Sequence, residues 1–410
     1  MSLSNVIPIH FLLIIAYSLM PQTPTGENTE KMINKNIVNA YTEFGFDLYK
    51  KEINTHKDEN IFISPVSVSL ALAMTTGGSD GETEKAILKA LNLEGIKRET
   101  FKSANKNLIS NLLKEDKDVE LSIANSIWLK KSIRFYENFK TDTENYFFAD
   151  LFALSTAEPI NEWVEKKTNG RIKDIIESVS PADIAYLVNA IYFKGSWAEE
   201  FDKKLTKPKS FYLKGGEEIK VDMMKRQDRF KYLKTEDFEA VTIPYGDGKT
   251  SVSLFLPNRN SCLDTLHENI SLESWKRWRS DFRRREGTVE LPKLRIEYKS
   301  KLNNSLSALG MGIAFSPSDA DFSRMCRVDG KLNVYISKVL HKTFLKVDEK
   351  GTEAAAATAI GVTLTSTAHK QIEPFHIVFN RPYFLVITDN SRGLPLFIGS
   401  VQEPPKSNSD

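Results

Sequence analysis

The chain has 410 residues, with 56 basic and 54 acidic side chains and a formal charge of +2. Such balance gives no bulk attraction to nucleic acid or to a membrane surface. Hydrophobic residues make up 41% of it, enough for a sizeable core in one large domain or two. No internal repeat or long low-complexity linker divides the sequence, which favours one domain. The two cysteines, Cys262 and Cys326, are too few for a disulfide scaffold and lack metal-ligand spacing. Pairing is left open, and ordinary core thiols are the simplest reading.

Phe11 to Met20 is an apolar run of signal-peptide length, with small residues suited to cleavage after Ser18. It is too short to span a bilayer. Its flank departs from the usual pattern, since no Lys or Arg precedes Lys31. Residues 1–18 therefore read as a signal peptide and 19–35 as an N-terminal tail, which makes the product secreted. Asn269 and Asn303 each begin an Asn-X-Ser acceptor for glycosylation in a eukaryotic secreted protein.

From Asn36 to Lys51, Ile37, Val38, Tyr41, Phe44, Phe46 and Leu48 recur at roughly helical spacing. Ser64 and Pro65 then predict a helix start, the hydroxyl as cap and the proline in the first turn. That helix runs through Met74 to Gly77-Gly78, and its small or apolar surface makes it central and buried. Another helix is predicted from Glu158-Pro159 to Asn169-Gly170. Ala240–Tyr245 and Ser251–Leu256 read as a hairpin around Gly246 and Gly248. Beyond Pro374, two buried strands are predicted around a polar turn closed by Gly393. Helices mixed with antiparallel strands imply an α+β fold.

The segment around Trp275 to Arg285 places Leu272, Trp275, Trp278 and Phe282 near one helical face. Lys276, Arg277, Arg283, Arg284 and Arg285 make the rest strongly basic. A heparin-like polyanion would suit it. A solvated basic face on an ordinary amphipathic helix is the favoured reading of the two.

Enzyme chemistry finds little support. None of the six histidines, at positions 10, 56, 267, 341, 369 and 376, sits in a metal-binding HExxH or Cys/His cluster. There is no GxSxG elbow and no GxxxxGKS phosphate loop. The carboxylates show no spacing of a catalytic pair. No catalytic residue, metal or cofactor is implied.

The most informative stretch is Glu349 to Ala359: Glu349, Lys350, Gly351, Thr352, Glu353, Ala354, Ala355, Ala356, Ala357, Thr358 and Ala359. Four alanines favour helix, but Gly351, Thr358 and the following Gly361, Val362 and Thr363 do not. As a strand, it would turn Thr352, Ala354, Ala356 and Thr358 to one side. All four are small and uncharged, so this edge can enter a packed sheet with little desolvation. Glu353 begins the opposite, water-tolerant edge. Composition alone would favour a solvated linker, but the strand-rich chain that follows argues against one.

Together with Phe379 to Tyr383 (FNRPY), Asn60 to Ser67, Asn189 to Trp197 and Leu345 to Glu353, this stretch resembles the hinge and signature motifs of the serpins. The serpins are the serine-protease-inhibitor superfamily. The resemblance spans about Ile37 to Pro404, so the chain reads as a serpin domain at 36–404 with a C-terminal tail at 405–410. It implies an inhibitory serpin: three β-sheets, eight or nine helices and an exposed reactive loop from about Gly351 to Glu373. It also implies a monomer that traps a serine protease as an acyl-enzyme while the cut loop inserts into the main sheet. Thr352 would be the first inward-facing side chain buried on insertion.

By the same resemblance, Ser64, Ser67, Asn189 and His341 form a hydrogen-bonded shutter under the main sheet, and Trp197 lies in the breach where insertion begins. In many relatives the cut follows the seventeenth residue counted from the hinge glutamate. Counting from Glu349, this gives Thr365-Ser366, with Leu364-Thr365 and Thr367-Ala368 as alternatives. A Thr preceded by Leu364 suits an elastase- or chymotrypsin-like protease more than a trypsin-like one. The rival reading is a non-inhibitory serpin acting as carrier, chaperone or storage protein. Such members often carry bulky, charged or proline residues in the hinge, and none occurs between Ala354 and Ala359.

Overall fold

The computed structural model describes residues 26–114, 117–259, 261–327, 333–352 and 373–407. Helix α1 (Gly26–Thr55) carries Ile37, Tyr41, Phe44 and Leu48 into the core. It starts at Gly26, not Asn36. The apolar spacing stops short of Met32, which is exposed, but helix formers such as Glu30, Lys31 and Met32 extend the helix upstream.

Strand β1 (Ile61–Ile63) leads to Ser64, which caps α2 (Pro65–Thr76). The Ser67 N–H donates to the Ser64 hydroxyl at 3.4 Å, and Pro65 occupies the first turn. All of α2 is buried. Each of Leu70, Leu72 and Met74 contributes about 1.5–3 kcal/mol by burial. Helices α3 (Gly81–Ala90) and α4 (Arg98–Leu112) follow. Next come β2 (Val119–Lys130), β3 (Arg134–Phe135), α5 (Glu137–Phe147) and β4 (Asp150–Leu154). The predicted helix at Glu158 is α6 (Glu158–Lys167), and β5 (Ala185–Ser196) follows it.

Four antiparallel strands then succeed one another: β6 (Lys207–Tyr212), β7 (Glu218–Lys234), β8 (Phe238–Tyr245) and β9 (Thr250–Pro257). The last two form the expected hairpin, Tyr245 opposite Thr250. Helices α7 (Leu263–Asn269) and α8 (Leu272–Asp281) precede β10 (Arg283–Pro292) and β11 (Leu294–Lys301). The chain continues as α9 (Asn303–Leu306), β12 (Cys326–Arg327), β13 (Ile336–Asp348) and β14 (Gly351–Thr352). It closes with β15 (Phe375–Val378), β16 (Tyr383–Asp389) and β17 (Leu394–Val401).

The C-terminal run is thus three strands where two were expected. The stretch after Pro374 breaks at Phe379–Pro382, because β15 pairs in parallel with β10 while β16 pairs with β9 and β17. Gly393, at φ 74°, closes the β16–β17 turn as predicted.

Among the described residues there are nine α-helices and three sheets, an α+β fold. The six-stranded sheet has the order β11-β13-β14-β5-β2-β4. The larger sheet runs β1-β17-β16-β9-β8-β7-β10-β15, with β6 on β7, and β12 pairs with β3. Helix α2 lies between the two large sheets, against β17 on one side and β5 and β2 on the other. No described helix is long and apolar enough to cross a membrane.

Both cysteines are free. Cys326 is a core thiol, its pKa pushed up to about 11 by burial. Cys262 is not: it is exposed ahead of α7, 3.3 Å from the Thr265 hydroxyl. It precedes a short surface helix, so nothing packs over it.

Candidate functional site

Strands β13 and β5 run parallel from Ile336 opposite Ala185 to Phe344 opposite Tyr192. Beyond that point they part, and β14 fills the gap. Thr352 pairs with Val347 on one side and Gly195 on the other, and Gly351 pairs with Asp348 and Ser196. Two glycines permit this approach. Gly351 has φ 148°, and a Cβ there would lie 2.2 Å from the Gly195 carbonyl oxygen. A Cβ on Gly195 would lie 2.9 Å from the Tyr245 ring.

Thr352 is therefore already buried, its hydroxyl 2.8 Å from the Tyr245 Oη. This corrects the expectation that Thr352 waits outside the sheet for insertion. The glycine pair lets the backbone wedge in, and the Tyr245 hydroxyl satisfies the threonine. Glu353, Ala354, Ala355, Ala356, Ala357 and Thr358 lie outside the described residues. So do Thr365 and Ser366, and the apolar N-terminal run.

The turn leading into β14 is clamped on every side. The Trp197 indole donates to the Asp348 carbonyl at 2.9 Å, and its backbone N–H donates to the Lys350 carbonyl at 3.0 Å. The Trp197 ring stacks on Tyr245, with centroids 4.5 Å apart and planes 9° from parallel. The Phe201 N–H donates to the Glu349 carbonyl at 2.8 Å. The Glu349 carboxylate receives the Thr206 hydroxyl at 2.8 Å and lies 3.0 Å from Lys293 Nζ. Burial alone would raise the Glu349 pKa. Lys293 and Thr206 overrule it and hold the carboxyl below its ordinary value.

Lower down, a polar cluster crosses the same seam. Asn189 on β5 is the register partner of both His341 on β13 and Asn125 on β2. The Ser64 N–H donates to His341 Nε2 at 3.1 Å. That nitrogen must accept, so Nδ1 carries the proton and donates to Asn189 Oδ1 at 2.5 Å. The Asn189 amide donates to Asn125 Oδ1 at 2.6 Å and to the Ser67 hydroxyl. Ser64 Oγ donates to the Leu396 carbonyl at 2.7 Å, which ties the cluster to β17. Every member is buried. Desolvation pulls the His341 pKa down from 6.5 to about 3, so the imidazole is neutral.

From residue 373 the described chain resumes, and β15 is fastened to β10. Glu290 receives His376 Nε2 at 3.0 Å and also pairs with Lys209. Phe375 stacks on Tyr232 with centroids 4.1 Å apart.

The basic segment is divided. Ser271 and Ser274 build a capping box for α8, Trp275 and Trp278 are buried, and Lys276 and Arg277 face solvent. The helix ends at Asp281, and Arg283, Arg284 and Arg285 belong to β10. They do not continue the helical face, because Phe282 is extended (φ −58°, ψ 134°) and β10 pairs with β7 from Arg283 onward.

Asn125, Thr206, Tyr245 and Lys293 were not singled out from the sequence. Each gains its place from a partner distant in the chain, and no local pattern marks it. Among the described residues no group of His, Cys, Asp and Glu could hold a metal.

Comparison with known proteins agrees with this architecture. Residues 39–404 match the family described as Serpin (serine protease inhibitor). The leukocyte elastase inhibitor of Xenopus tropicalis is 32% identical over 90% of this chain and 100% of its own length. Among solved structures, the thermophilic serpin tengpin in its native state is 32% identical. Its TM-score is 0.82, covering 94% of this chain and 96% of its own. Human thyroxine-binding globulin complexed with its hormone has a TM-score of 0.83 at 26% identity, over 91% and 100% of the two chains. The chain belongs to the serpin family. That family holds both protease inhibitors and ligand carriers.

Proposed function

We propose that this serpin is inhibitory and that it traps serine proteases of the elastase- or chymotrypsin-like class. The protease attacks the segment beyond Thr352, at Thr365-Ser366 by count, and becomes an acyl-enzyme. The freed strand then continues from β14 down the seam between β13 and β5 before the ester is hydrolysed. The observation that carries this reading is the seating of Gly351 and Thr352 between those two strands. The first residues of an added strand are in register, and small residues at 354–358 follow them.

In this reading Trp197 and Glu349 hold the breach at the top of the seam. Ser64, Ser67, Asn189, Asn125 and His341 are the shutter that must yield in its middle. The name of the leukocyte elastase inhibitor agrees with an elastase-like target. On this reading the protein acts outside the cell as a monomer, and a heparin-like polyanion would meet Lys276 and Arg277 on the exposed face of α8. The carrier reading has the likeness to thyroxine-binding globulin in its favour, but the stretch from 354 to 359 is uncharged and proline-free, unlike the hinges that non-inhibitory members often carry.

Incubation with elastase-, chymotrypsin- and trypsin-like proteases, resolved on a denaturing gel, decides between them. Inhibition gives a band near the summed masses that survives SDS. If every protease cleaves the chain and remains active, the inhibitory reading fails.

A further inference from the structure

The three strand arginines do not act as a group. Arg285 donates to the Glu373 carbonyl at 2.9 Å and lies 5.2 Å from the centroid of the Tyr232 ring. Arg283 folds back on the Ser280 carbonyl at 2.6 Å. Arg284, between them, turns to the opposite face and lines a cleft of about 380 Å³ with Arg226, Arg229 and Lys231. The turn at Gly246–Gly248 and Asn390 close its other side.

Two features of this cleft leave positive charge incompletely matched. First, the β7–β10 register sets Lys231 directly opposite Arg284. Like charges directly opposite one another destabilise a sheet. Among the described residues, no ion pair involves Arg229, Lys231 or Arg284. Second, Arg226 is only 8% exposed and held between the Phe201 and Phe230 rings, 5.1 and 4.8 Å from their centroids. Its Nη1 donates to the Glu199 carbonyl, and Nη2 is a long 3.5 Å from the Asp228 carboxylate. Its Nε has no partner. Glu199, Asp228 and Asp247 also line the cleft, but Asp247 is neutralised by Lys249 at 2.5 Å.

We propose that this cleft binds one sulfate or phosphate monoester group. A tetrahedral oxoanion offers several acceptors at once to guanidinium and ammonium donors, and it relieves the Lys231–Arg284 repulsion. The site is separate from the exposed face of α8 and independent of protease inhibition.

Calorimetric titration with inorganic sulfate and inorganic phosphate, at ionic strength fixed with chloride, tests it. Saturable binding of at least one ion is expected. It should weaken at least tenfold in Lys231→Gln and in Arg284→Gln, both exposed positions whose loss leaves the fold intact. Lys276→Gln with Arg277→Gln should leave it unchanged. Glucosamine 6-sulfate and O-phosphoserine then separate the two sources, and binding of either supports the site. The proposal is overturned if neither inorganic ion binds. Binding that survives loss of Lys231 and Arg284 together, or that falls equally with Lys276 and Arg277, overturns it too.

Discussion

The Glu349 carboxylate lies 3.0 Å from the Lys293 ammonium and fixes the turn from which β14 enters the six-stranded sheet. Glu349 is 7% exposed, and its backbone carbonyl is held by Phe201. The pair therefore joins β14 to the β10–β11 corner at the point where β13 and β5 part.

Glu349→Lys sets two ammonium groups together at this buried corner. Breaking a buried pair costs up to 3–5 kcal/mol, and the partial exposure of Lys293 brings the expected loss to about 1–3 kcal/mol. The unfolding free energy measured by urea titration should fall by that amount, and the midpoint with it. Lys293→Glu added to Glu349→Lys should restore most of it. A double variant no more stable than the single one would show that the pair does not hold the hinge.

His341 makes the seam sensitive to acid. Its pKa is about 3 in the folded chain and ordinary, near 6.5, in the unfolded one. The folded state therefore binds fewer protons between those values. The stability of the neutral site is complete above about pH 6.5 and declines as pH falls towards 3. One such histidine contributes a slope of about 1.4 kcal/mol per pH unit in that window. His267, lowered to about 4 by burial, adds to the slope above its own folded value. His341→Gln should remove one proton's worth of it. Urea unfolding at pH 7, 6, 5 and 4 measures the difference, and parallel curves for the two proteins would refute the assignment.

The parts of this fold that could be read from the sequence have local causes. Ser64-Pro65 and Gly77 bracket α2 because cap and terminator lie within the helix's own reach. The β8–β9 hairpin follows from alternation around two glycines. The segment from Glu349 stood out because its small side chains run into a strand-rich stretch, with Gly351 and Thr358 interrupting any helix. What escaped depends on pairing across the chain. No glycine or proline stops α8 at Asp281; the ladder with β7 takes over at Arg283. Thr352 enters the sheet because Gly195 faces it, a relation absent from either local segment. Asn125 joins His341 only through Asn189, which stands between them in the sheet.

The division of the basic segment alters what heparin should contact. Lys276 and Arg277 are exposed on α8, whereas Arg285 is engaged with Glu373 and Tyr232. Lys276→Ala with Arg277→Ala should lower the salt needed to elute the protein from a heparin column, since each lost phosphate-like or sulfate contact flattens the salt dependence. Adding Arg285→Ala should shift elution little further. An unchanged position for the first pair would leave their basic face merely solvated.

Thr352 gives the most direct test of insertion. Its side chain is buried against Tyr245 before any cleavage, so Thr352→Arg must either bury an unpaired charge or leave the sheet. Burial would cost on the order of several kcal/mol, so β14 should be expelled and re-entry slowed. In the proposed mechanism cleavage occurs well beyond this point and should proceed almost unaffected. Deacylation then overtakes insertion, and the inhibitor becomes a substrate. Glu353→Arg, at the next position and on the opposite edge of an extended chain, should do far less harm. The measurement is the number of serpin molecules consumed per protease inactivated. A several-fold rise for Thr352→Arg alone is expected. Equal values for the two variants would show that side-chain alternation does not govern entry, and that the strand does not continue from β14 into the seam.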